Sequence, residues 1–397
     1  MNQEILIGDG KRPIITTHID GSIHIVYVKY INNINNGIRY KKYHPLYGTS
    51  SEEIVTNTEA WWPHISISIN GDVHIVWEKS RYGNGYIGYA RKVSGLWKFI
   101  DNLNTNTNRA MMPRITTDSL NRAHIVFWKN VAVQGTLIRG QYTRIGLINN
   151  IPTIELNVDI AEWNANRIGD IHIINDIVHI FTGQQYEINH LIISESGKLT
   201  QSEKYLKPLS DQITKFSETC SVSYGLNGLF YLASIDAGSN LPIEILHMRS
   251  GGISLVTPQL TPSGDYVKSA GDKITPGKAY IIYADSSKKC KVISINSKNL
   301  ISSPISISDY GLQHDGELRH CPFGVGAIDG GLWVAYQDNR NGIWNVYIQK
   351  IDGTICTPLW KCEIPLNGYK NDGCGNRILD SECNPCISSQ CNFTITQ

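Results

Sequence analysis

Apolar and polar residues alternate in short runs along this chain, and the stretch WWPHISISINGDVHIVWEK at residues 61–79 shows the pattern best. The alternation in HISISI predicts a strand, and the Asn70-Gly71 pair that follows suits a type I′ hairpin turn. The apolar run DVHIVWEK predicts a second strand that is buried on both faces. YIGYARKV and LWKFIDN follow as a third and a fourth strand. The pattern therefore predicts a unit of four short strands.

This unit recurs along the chain. Pro13, Pro63 and Pro113 fall 50 residues apart, and a histidine follows each of them at the same distance. The turn and the second strand recur again in NDIVHIFTG, NGLFYLAS, PGKAYIIYAD and DGGLWVAYQD. A repeat of this length with four strands is typical of a propeller blade. We therefore predict an all-β fold, a seven-bladed β-propeller of four-stranded antiparallel blades, which start near residues 13, 63, 113, 167, 217, 268 and 322.

The ends of the repeat array predict how the ring closes. The opening QEILIGDGKRP resembles EEIVTNTEAWWP, the fourth strand and exit of the first full repeat. We therefore expect an N-terminal strand that completes the last blade. The segment TPLWKCEIP after that blade is an alternative fourth strand, so one of the two must lie elsewhere. The propeller is predicted to span residues 1–355, followed by a Cys-rich appendage at 356–397.

Charge and apolar content argue against several classes of partner. The formal net charge is +1, and lysine and arginine are spread along the chain, so nucleic acid is not expected as a partner. No apolar stretch reaches the roughly 18 to 20 residues of a spanning helix, so membrane insertion is not expected either. The N-terminal residues lack the features of a secretory signal. The location stays open: a zinc-binding or free-thiol tail would suit a cytosolic protein, whereas disulfides among the cysteines described next would suit an extracellular or particle-surface location, which is favoured.

Cysteines are concentrated at the C-terminus. Nine are present, and five of them lie in the last 36 residues. Cys383 and Cys386 have a spacing that zinc ligands and small disulfide loops both use. We expect Cys374, Cys383, Cys386 and Cys391 to pair with one another or to share a zinc ion. No other cofactor is expected.

The repeats resemble a known family. The pattern Pro-x-Ile-x-x-x-x-x-Gly-x-x-His-Ile-Val-Trp, followed by GNGYIGYARK, is similar to the repeats of sialidase-like (BNR-type) β-propellers, as is VAYQDNRNGIWNVYIQKIDG at residues 334–353. The resemblance covers most of residues 2–355 and implies the propeller fold. Its members include glycan-active enzymes and lectins, so it does not specify a function. The chain lacks the Arg-Ile-Pro motif and the Asp-box of the sialidases, which argues against that activity.

The two faces of the predicted ring differ in their loops. The turn face carries the turns between first and second strands, such as Asp20-Gly21 and Asn70-Gly71, and these are too short to offer much chemistry. The link face carries the longer links that lead into each first strand and the connections between second and third strands. Loops on a rigid scaffold usually carry the binding groups. The site is therefore expected on the link face.

Seven link-face residues are the candidates for ligand binding: Trp61, Trp62, His64, Arg12, Arg114, Arg319 and His320. Exposed indoles can stack on a sugar, and guanidinium groups bind carboxylates in bidentate fashion. Together they favour a glycan or another acidic saccharide. Two structural alternatives stay open. The tryptophans pack between blades, or the arginines form salt bridges with Glu59, Glu162 and Glu317 from the same loops.

The recurrent histidines have a structural interpretation. His24, His74, His124 and His179 occupy one slot of the repeat, so they must be spread around the ring. They therefore cannot converge on a metal ion. We expect them to be strand histidines with hydrogen-bonded ring nitrogens.

These observations favour a binding protein over an enzyme. The function predicted is glycan recognition, or a structural or attachment role on a surface or particle with a protein assembly partner. The alternative is a sialidase-like glycoside hydrolase or a propeller-type polysaccharide lyase that acts on acidic sugars. A lyase needs a proton-transfer residue beside a cation, and His64, His320, Tyr82 and Arg114 are the residues that could fill those roles.

Overall fold

The computed structural model describes residues 4–32, 34–80, 85–104, 109–130, 137–164, 167–184, 187–206, 216–225, 229–236, 242–249, 252–255, 260–271, 279–285, 290–295, 305–307, 324–328, 331–339, 341–351, 361–362, 369–371 and 377–379. Every regular element within these ranges is a strand, which confirms the predicted all-β fold. The same ranges contain no helix that is long and apolar enough to cross a membrane.

The first four blades are separate antiparallel sheets. After β1 (Glu4–Asp9), which belongs to the last blade, blade I contains β2 (Lys11–Thr17), β3 (Ile23–Ile31), β4 (Ile34–His44), β5 (Gly48–Thr49) and β6 (Glu53–Thr56). Blade II contains β7 (Trp61–Ile67), β8 (Val73–Glu78), β9 (Ile87–Val93) and β10 (Leu96–Ile100). Blade III contains β11 (Arg109–Thr117), β12 (Ala123–Asn130), β13 (Leu137–Ile148) and β14 (Ile151–Asn164). Blade IV contains β15 (Arg167–Ile174), β16 (Ile177–Gln184), β17 (Glu187–Ile193) and β18 (Leu199–Leu206).

The next two repeats form one wide sheet of eight strands. These are β19 (Phe216–Gly225), β20 (Leu229–Asp236), β21 (Pro242–Arg249), β22 (Gly252–Leu255), β23 (Leu260–Gly271), β24 (Ala279–Asp285), β25 (Cys290–Ile295) and β26 (Ile305–Ser306). β21 pairs with β22 and also with β23, where Ile243 lies opposite Leu260. Because β22 has only 4 residues, it leaves part of the β21 edge open to the following repeat. The described residues therefore form six blade sheets, and the prediction of seven blades is wrong.

The N-terminal strand closes the last blade, as predicted. This blade contains β27 (Gly324–Ile328), β28 (Gly331–Asp338) and β29 (Asn345–Ile351), and β1 pairs antiparallel with β29. The competing segment TPLWKCEIP contributes β30 (Lys361–Cys362) to a separate sheet with β31 (Tyr369–Asn371) and β32 (Arg377–Leu379). The chain therefore closes its ring with its first strand. The division between residues 1–355 and 356–397 stays a prediction.

The first strands form the inner ring of the propeller. Each packs against the first strand of the next repeat, in the order β2, β7, β11, β15, β19, β23 and β27, and β27 packs against β2. Apolar clusters fill the spaces between sheets, for example between blades I and II, II and III, and III and IV. The second strands β8 and β28 are buried along their whole length. This confirms that their unbroken apolar runs are covered on both faces.

The recurrent histidines are strand residues with hydrogen-bonded rings, as predicted, and they are buried in blades I to III and partly buried in blade IV. In three blades the histidine on the second strand is hydrogen-bonded through Nδ1 to a tyrosine hydroxyl on the third. The pairs are His24 with Tyr40 (2.7 Å), His74 with Tyr89 (2.8 Å) and His124 with Tyr142 (2.7 Å). In blade IV, a second histidine replaces the tyrosine, and His179 Nδ1 lies 2.9 Å from His190 Nε2. Burial lowers the pKa of His74 well below its ordinary value and lowers the pKa of His179 to about 4.

Candidate functional site

A bulge recurs near the link-face end of the inner strands of blades I, II and III. It lies at the X-Pro pair of each first strand, where the pairing register shifts by one residue. The residue before the proline has a positive φ in all three: Arg12 (58°), Trp62 (50°) and Met112 (53°). Bulges re-aim side chains, and a positive φ in a residue other than glycine persists only where its surroundings hold it. Each of these three blades therefore presents one side chain at its bulge, and the residue type differs from blade to blade.

Arg12 joins three blades at this bulge. Its backbone N–H donates to Gln337 Oε1 of the last blade at 2.7 Å. Its guanidinium carbon lies 4.3 Å from the centre of the Trp61 ring and 4.9 Å from the centre of the Trp62 ring, both in blade II. The side chain is buried, with 4% exposed. A guanidinium at this distance from an indole is attracted by the ring's negative face. Arg12 is thus a fixed positive charge beside two indoles.

The two adjacent tryptophans have different surroundings. Trp61 is buried, with 8% exposed, and its Nε1–H donates to Glu59 Oε1 at 2.6 Å. Trp62 is only partly buried. Trp61 therefore packs between blades and holds Arg12, whereas Trp62 is the indole with surface left for a ligand. The alternative of packing between blades, which the sequence left open, describes Trp61.

His64 and Arg114 each contact the following blade. His64 Nδ1 accepts a hydrogen bond from the backbone N–H of Ile115 at 3.4 Å. Arg114 donates to the carbonyl oxygens of Pro113 (3.0 Å) and Gly169 (3.3 Å). Burial lowers the pKa of Arg114, and its guanidinium is held by backbone carbonyls. The structure thus brings Arg12, Trp61 and Trp62 together, and it places His64 and Arg114 at the next two blade junctions.

Several predicted residues lie outside the described ranges. They are the candidate ligand residues Arg319 and His320, the lyase candidate Tyr82, and the four cysteines Cys374, Cys383, Cys386 and Cys391. Their proposed roles stay predictions.

A cavity of about 380 Å³ lies on the turn face, where the sequence predicted little chemistry. It is bounded by the inner strands and turns of blades I to IV, and its lining includes His18, Ile19, Ile69, Asp118 and Asp176. The sequence analysis did not predict a cavity on this face, and whether the face binds a ligand is not shown by the cavity alone. The signal was present in the sequence, since isoleucine is an unusual residue for a tight turn and occurs in both HIDGS and SINGD.

Comparisons with known proteins identify the fold and not a family. No family model matches the chain, and no curated protein matches it. Among solved structures, the BP39L lectin from Burkholderia pseudomallei aligns at 11% identity over 86% of this chain and 96% of its own, with a TM-score of 0.60. The polysaccharide lyase Uly1 aligns at 10% identity over 88% of this chain and 91% of its own, also with a TM-score of 0.60.

A third solved structure extends the comparison. An ulvan lyase of polysaccharide lyase family PL25, bound to -[GlcA(1-4)Rha3S]-, aligns at 10% identity over 87% of this chain and 95% of its own, with a TM-score of 0.53. Likenesses at this level of identity show the fold alone. They show the propeller fold, which is the fold that the resemblance of the repeats implies.

Proposed function

We propose that this chain is a glycan-binding β-propeller that holds an acidic saccharide at the link-face end of its channel. The observation that carries the proposal is the contact of the Arg12 guanidinium with the Trp61 and Trp62 rings. An indole supplies the flat apolar surface on which a sugar ring stacks, and a guanidinium supplies the charge that a carboxylate needs. Here both lie in one place, held by the bulges of two neighbouring blades.

Each residue has a distinct role in this proposal. Trp62 is the stacking surface, because it is the less buried of the two indoles. Arg12 provides a positive potential, which is strengthened by its burial because nearby water screens it less. Trp61 positions Arg12. The lectin and the saccharide-bound lyase of similar fold support the proposal, since propellers of this shape are used to hold saccharides.

An enzyme is the alternative, as a glycoside hydrolase or a lyase. Two contacts favour binding without turnover. His64 uses Nδ1 to accept from a backbone N–H, and Arg114 directs its described hydrogen bonds to backbone carbonyls. A catalytic acid or base must instead reach the proton that it transfers.

A glycan panel tests the proposal. Sialylated and uronic-acid oligosaccharides, each with a matched neutral counterpart, are bound to the full chain and assayed for cleavage in the same samples. We expect acidic glycans to bind more tightly than their neutral counterparts, without cleavage. Equal binding of both classes, or none, would contradict the proposal, and cleavage products would establish the enzyme alternative.

We also propose that Cys374, Cys383, Cys386 and Cys391 pair with one another or share a zinc ion. Their density in a short segment supports this. Disulfides there would agree with an extracellular or particle-surface location. Mass spectrometry of the native protein is the test, and four free thiols without bound zinc would overturn it.

A further inference from the structure

Exposed apolar side chains are concentrated on the turn face of blades I to IV. Successive strands of a blade run antiparallel, so the turns between third and fourth strands lie at the same end as those between first and second strands. Four exposed large apolar residues lie at the inner turns and six at the outer turns, out of seventeen in the described residues. The inner ones are Ile19, Ile69, Leu120 and Ile177, and the outer ones are Leu46, Tyr47, Leu96, Ile148, Ile151 and Leu199.

This distribution is regular. Each of the four blades exposes at least one apolar residue at its inner turn and at least one at its outer turn. Tight turns normally hold glycine, asparagine, aspartate, serine or proline, so the pattern runs against the usual composition of turns. Exposed apolar residues that are concentrated on one face suggest an interaction site.

Most charges on this face are paired within the molecule. Five pairs of opposite charge are formed at or beside its turns: Asp20 with Lys42 (3.1 Å), Asp72 with Arg91 (2.7 Å), Asp118 with Arg122 (2.6 Å), Glu155 with Arg144 (3.0 Å) and Glu195 with Arg122 (2.6 Å). Arg122 serves two of these pairs, so they comprise five carboxylates and four cations, and the face has only a small net charge. Such a face has little field to attract a strongly charged partner, and it meets an identical face with little repulsion.

Two exposed charges of blade IV form no ion pair with any described residue: Asp176 and Lys198. The carboxylate of Asp176 is oriented by Ser119, whose backbone N–H and hydroxyl donate to it at 3.0 and 2.8 Å. Each charge is followed in the chain by an exposed apolar residue, Ile177 (46%) after Asp176 and Leu199 (39%) after Lys198. The blade thus carries two segments of similar size and opposite charge, one at its inner turn and one at its outer turn.

We infer that the turn face binds a second copy of this chain about a two-fold axis at blade IV, with Asp176-Ile177 of each copy against Lys198-Leu199 of the other. Two-fold symmetry makes each contact occur twice, as isologous interfaces require. The apolar turns of blade III, next to blade IV, extend the buried surface. The inference concerns the face opposite the proposed glycan site and does not depend on that function.

Sedimentation velocity of the full chain, over about a hundredfold range of concentration, tests the inference. The wild-type chain is expected to show a concentration-dependent dimer. Asp176→Lys and Lys198→Asp should each weaken the dimer about tenfold or more, because each places like charges opposite one another twice. Leu120→Glu should weaken it as well, whereas Ile343→Glu, which adds the same charge on the link face, should leave it unchanged.

The decisive sample is an equimolar mixture of the two charge-reversal variants. In that mixture the lysine introduced by Asp176→Lys in one chain would face the aspartate introduced by Lys198→Asp in the other. The unchanged Lys198 of the first chain would face the unchanged Asp176 of the second, so both contacts become attractive and heterodimers should form. Misfolded variants would not recover association, so the mixture separates a lost contact from a lost fold. A wild-type chain that is monomeric at all concentrations, or a dimer that neither single variant weakens, would overturn the inference.

Discussion

The guanidinium carbon of Arg12 lies 4.3 Å from the centre of the Trp61 ring, so a cation of blade I is packed on an indole of blade II. Both residues are buried, and the neighbouring Trp62 covers the same guanidinium from 4.9 Å. The arrangement stabilises the blade junction and also fixes a positive charge beside an indole with accessible surface. The same contact can therefore serve both blade packing and ligand recognition, and mutations can separate the two roles.

Because β1 closes the ring, truncating a buried side chain of β1 should destabilise the protein, whereas truncating an exposed one should not. Ile7 is 1% exposed and packs in the cluster between blade I and the last blade, and Glu4 accepts a hydrogen bond from the Tyr336 hydroxyl. Ile7→Ala should lower the free energy of unfolding by about 2–5 kcal/mol, because a cavity is left between two sheets. Urea denaturation measures the change.

Leu6 provides the matched control for that experiment. It lies on the same strand but is 56% exposed. Leu6→Ala should change the free energy of unfolding by no more than about 0.5 kcal/mol. Equal losses in the two variants would show that β1 does not close the ring as described.

The histidine–tyrosine pairs predict a cost for removing a single hydroxyl. Tyr89 is fully buried, and its hydroxyl is the partner of His74 Nδ1 at 2.8 Å. Tyr89→Phe leaves that nitrogen buried without this partner, which should cost about 1–3 kcal/mol in urea denaturation. Tyr86→Phe is the control, since Tyr86 is 38% exposed in the same part of the chain. If both variants are as stable as the wild type, the pairs contribute nothing.

Stability should fall as the pH decreases from about 6.5 towards 4. Burial lowers the pKa of His74 and of His124 below the ordinary value of 6.5, and it lowers the pKa of His179 to about 4. In this window the unfolded chain binds protons that the folded chain does not, so protonation favours unfolding. Urea midpoints across the pH range give the dependence. A stability that stays constant from pH 6.5 to 4 would contradict the burial of these rings.

A second loss of stability is expected at lower pH. Burial alone would raise the pKa of Asp118, but hydrogen bonds from His124 and Arg122 outweigh this effect and lower it. The carboxylate of Asp20 is likewise kept ionised, against the effect of burial, by hydrogen bonds from His18, Ser22 and Lys42. The contribution of both carboxylates is present above pH 4 and is lost as the pH falls further. Asp118→Asn should remove part of that acid-dependent loss in the same measurement.

Local sequence features predicted most of the fold. The prolines at 13, 63 and 113 and the apolar second strands are local features of the repeats, so the sequence alone predicted them. The turn at Asn70-Gly71 was also predicted, but it is not of type I′, because of the two residues only Gly71 has a positive φ. The likeness of the N-terminal segment to a fourth strand predicted the closure that β1 and β29 make. The merging of two repeats into one sheet was not predictable from the sequence. It depends on the short length of β22, which leaves part of β21 free to pair with β23 at Ile243 and Leu260.

The candidate site was only partly predictable for a similar reason. The chemistry of Trp62 and Arg12 and their place before a proline make them candidates from the sequence. A residue before proline normally favours an extended backbone, so their positive φ was not expected from the sequence. That conformation comes from the bulge, which in turn depends on the register with the second strand. The contact between Arg12 and the two indoles follows from the bulges and not from spacing alone.

The most direct measurement compares two residues in the same bulge. Trp62 and Met112 share the slot and the positive φ, but of these two residues only Trp62 places an indole beside Arg12. Calorimetric titration of Trp62→Ala and Met112→Ala with the acidic glycan that the wild-type chain binds most tightly, together with thermal melts, tests the central claim. The account predicts that Trp62→Ala binds about tenfold more weakly or worse, with a melting temperature close to that of Met112→Ala, which binds like the wild type. A Trp62→Ala chain that melts several degrees lower and binds as before would contradict it.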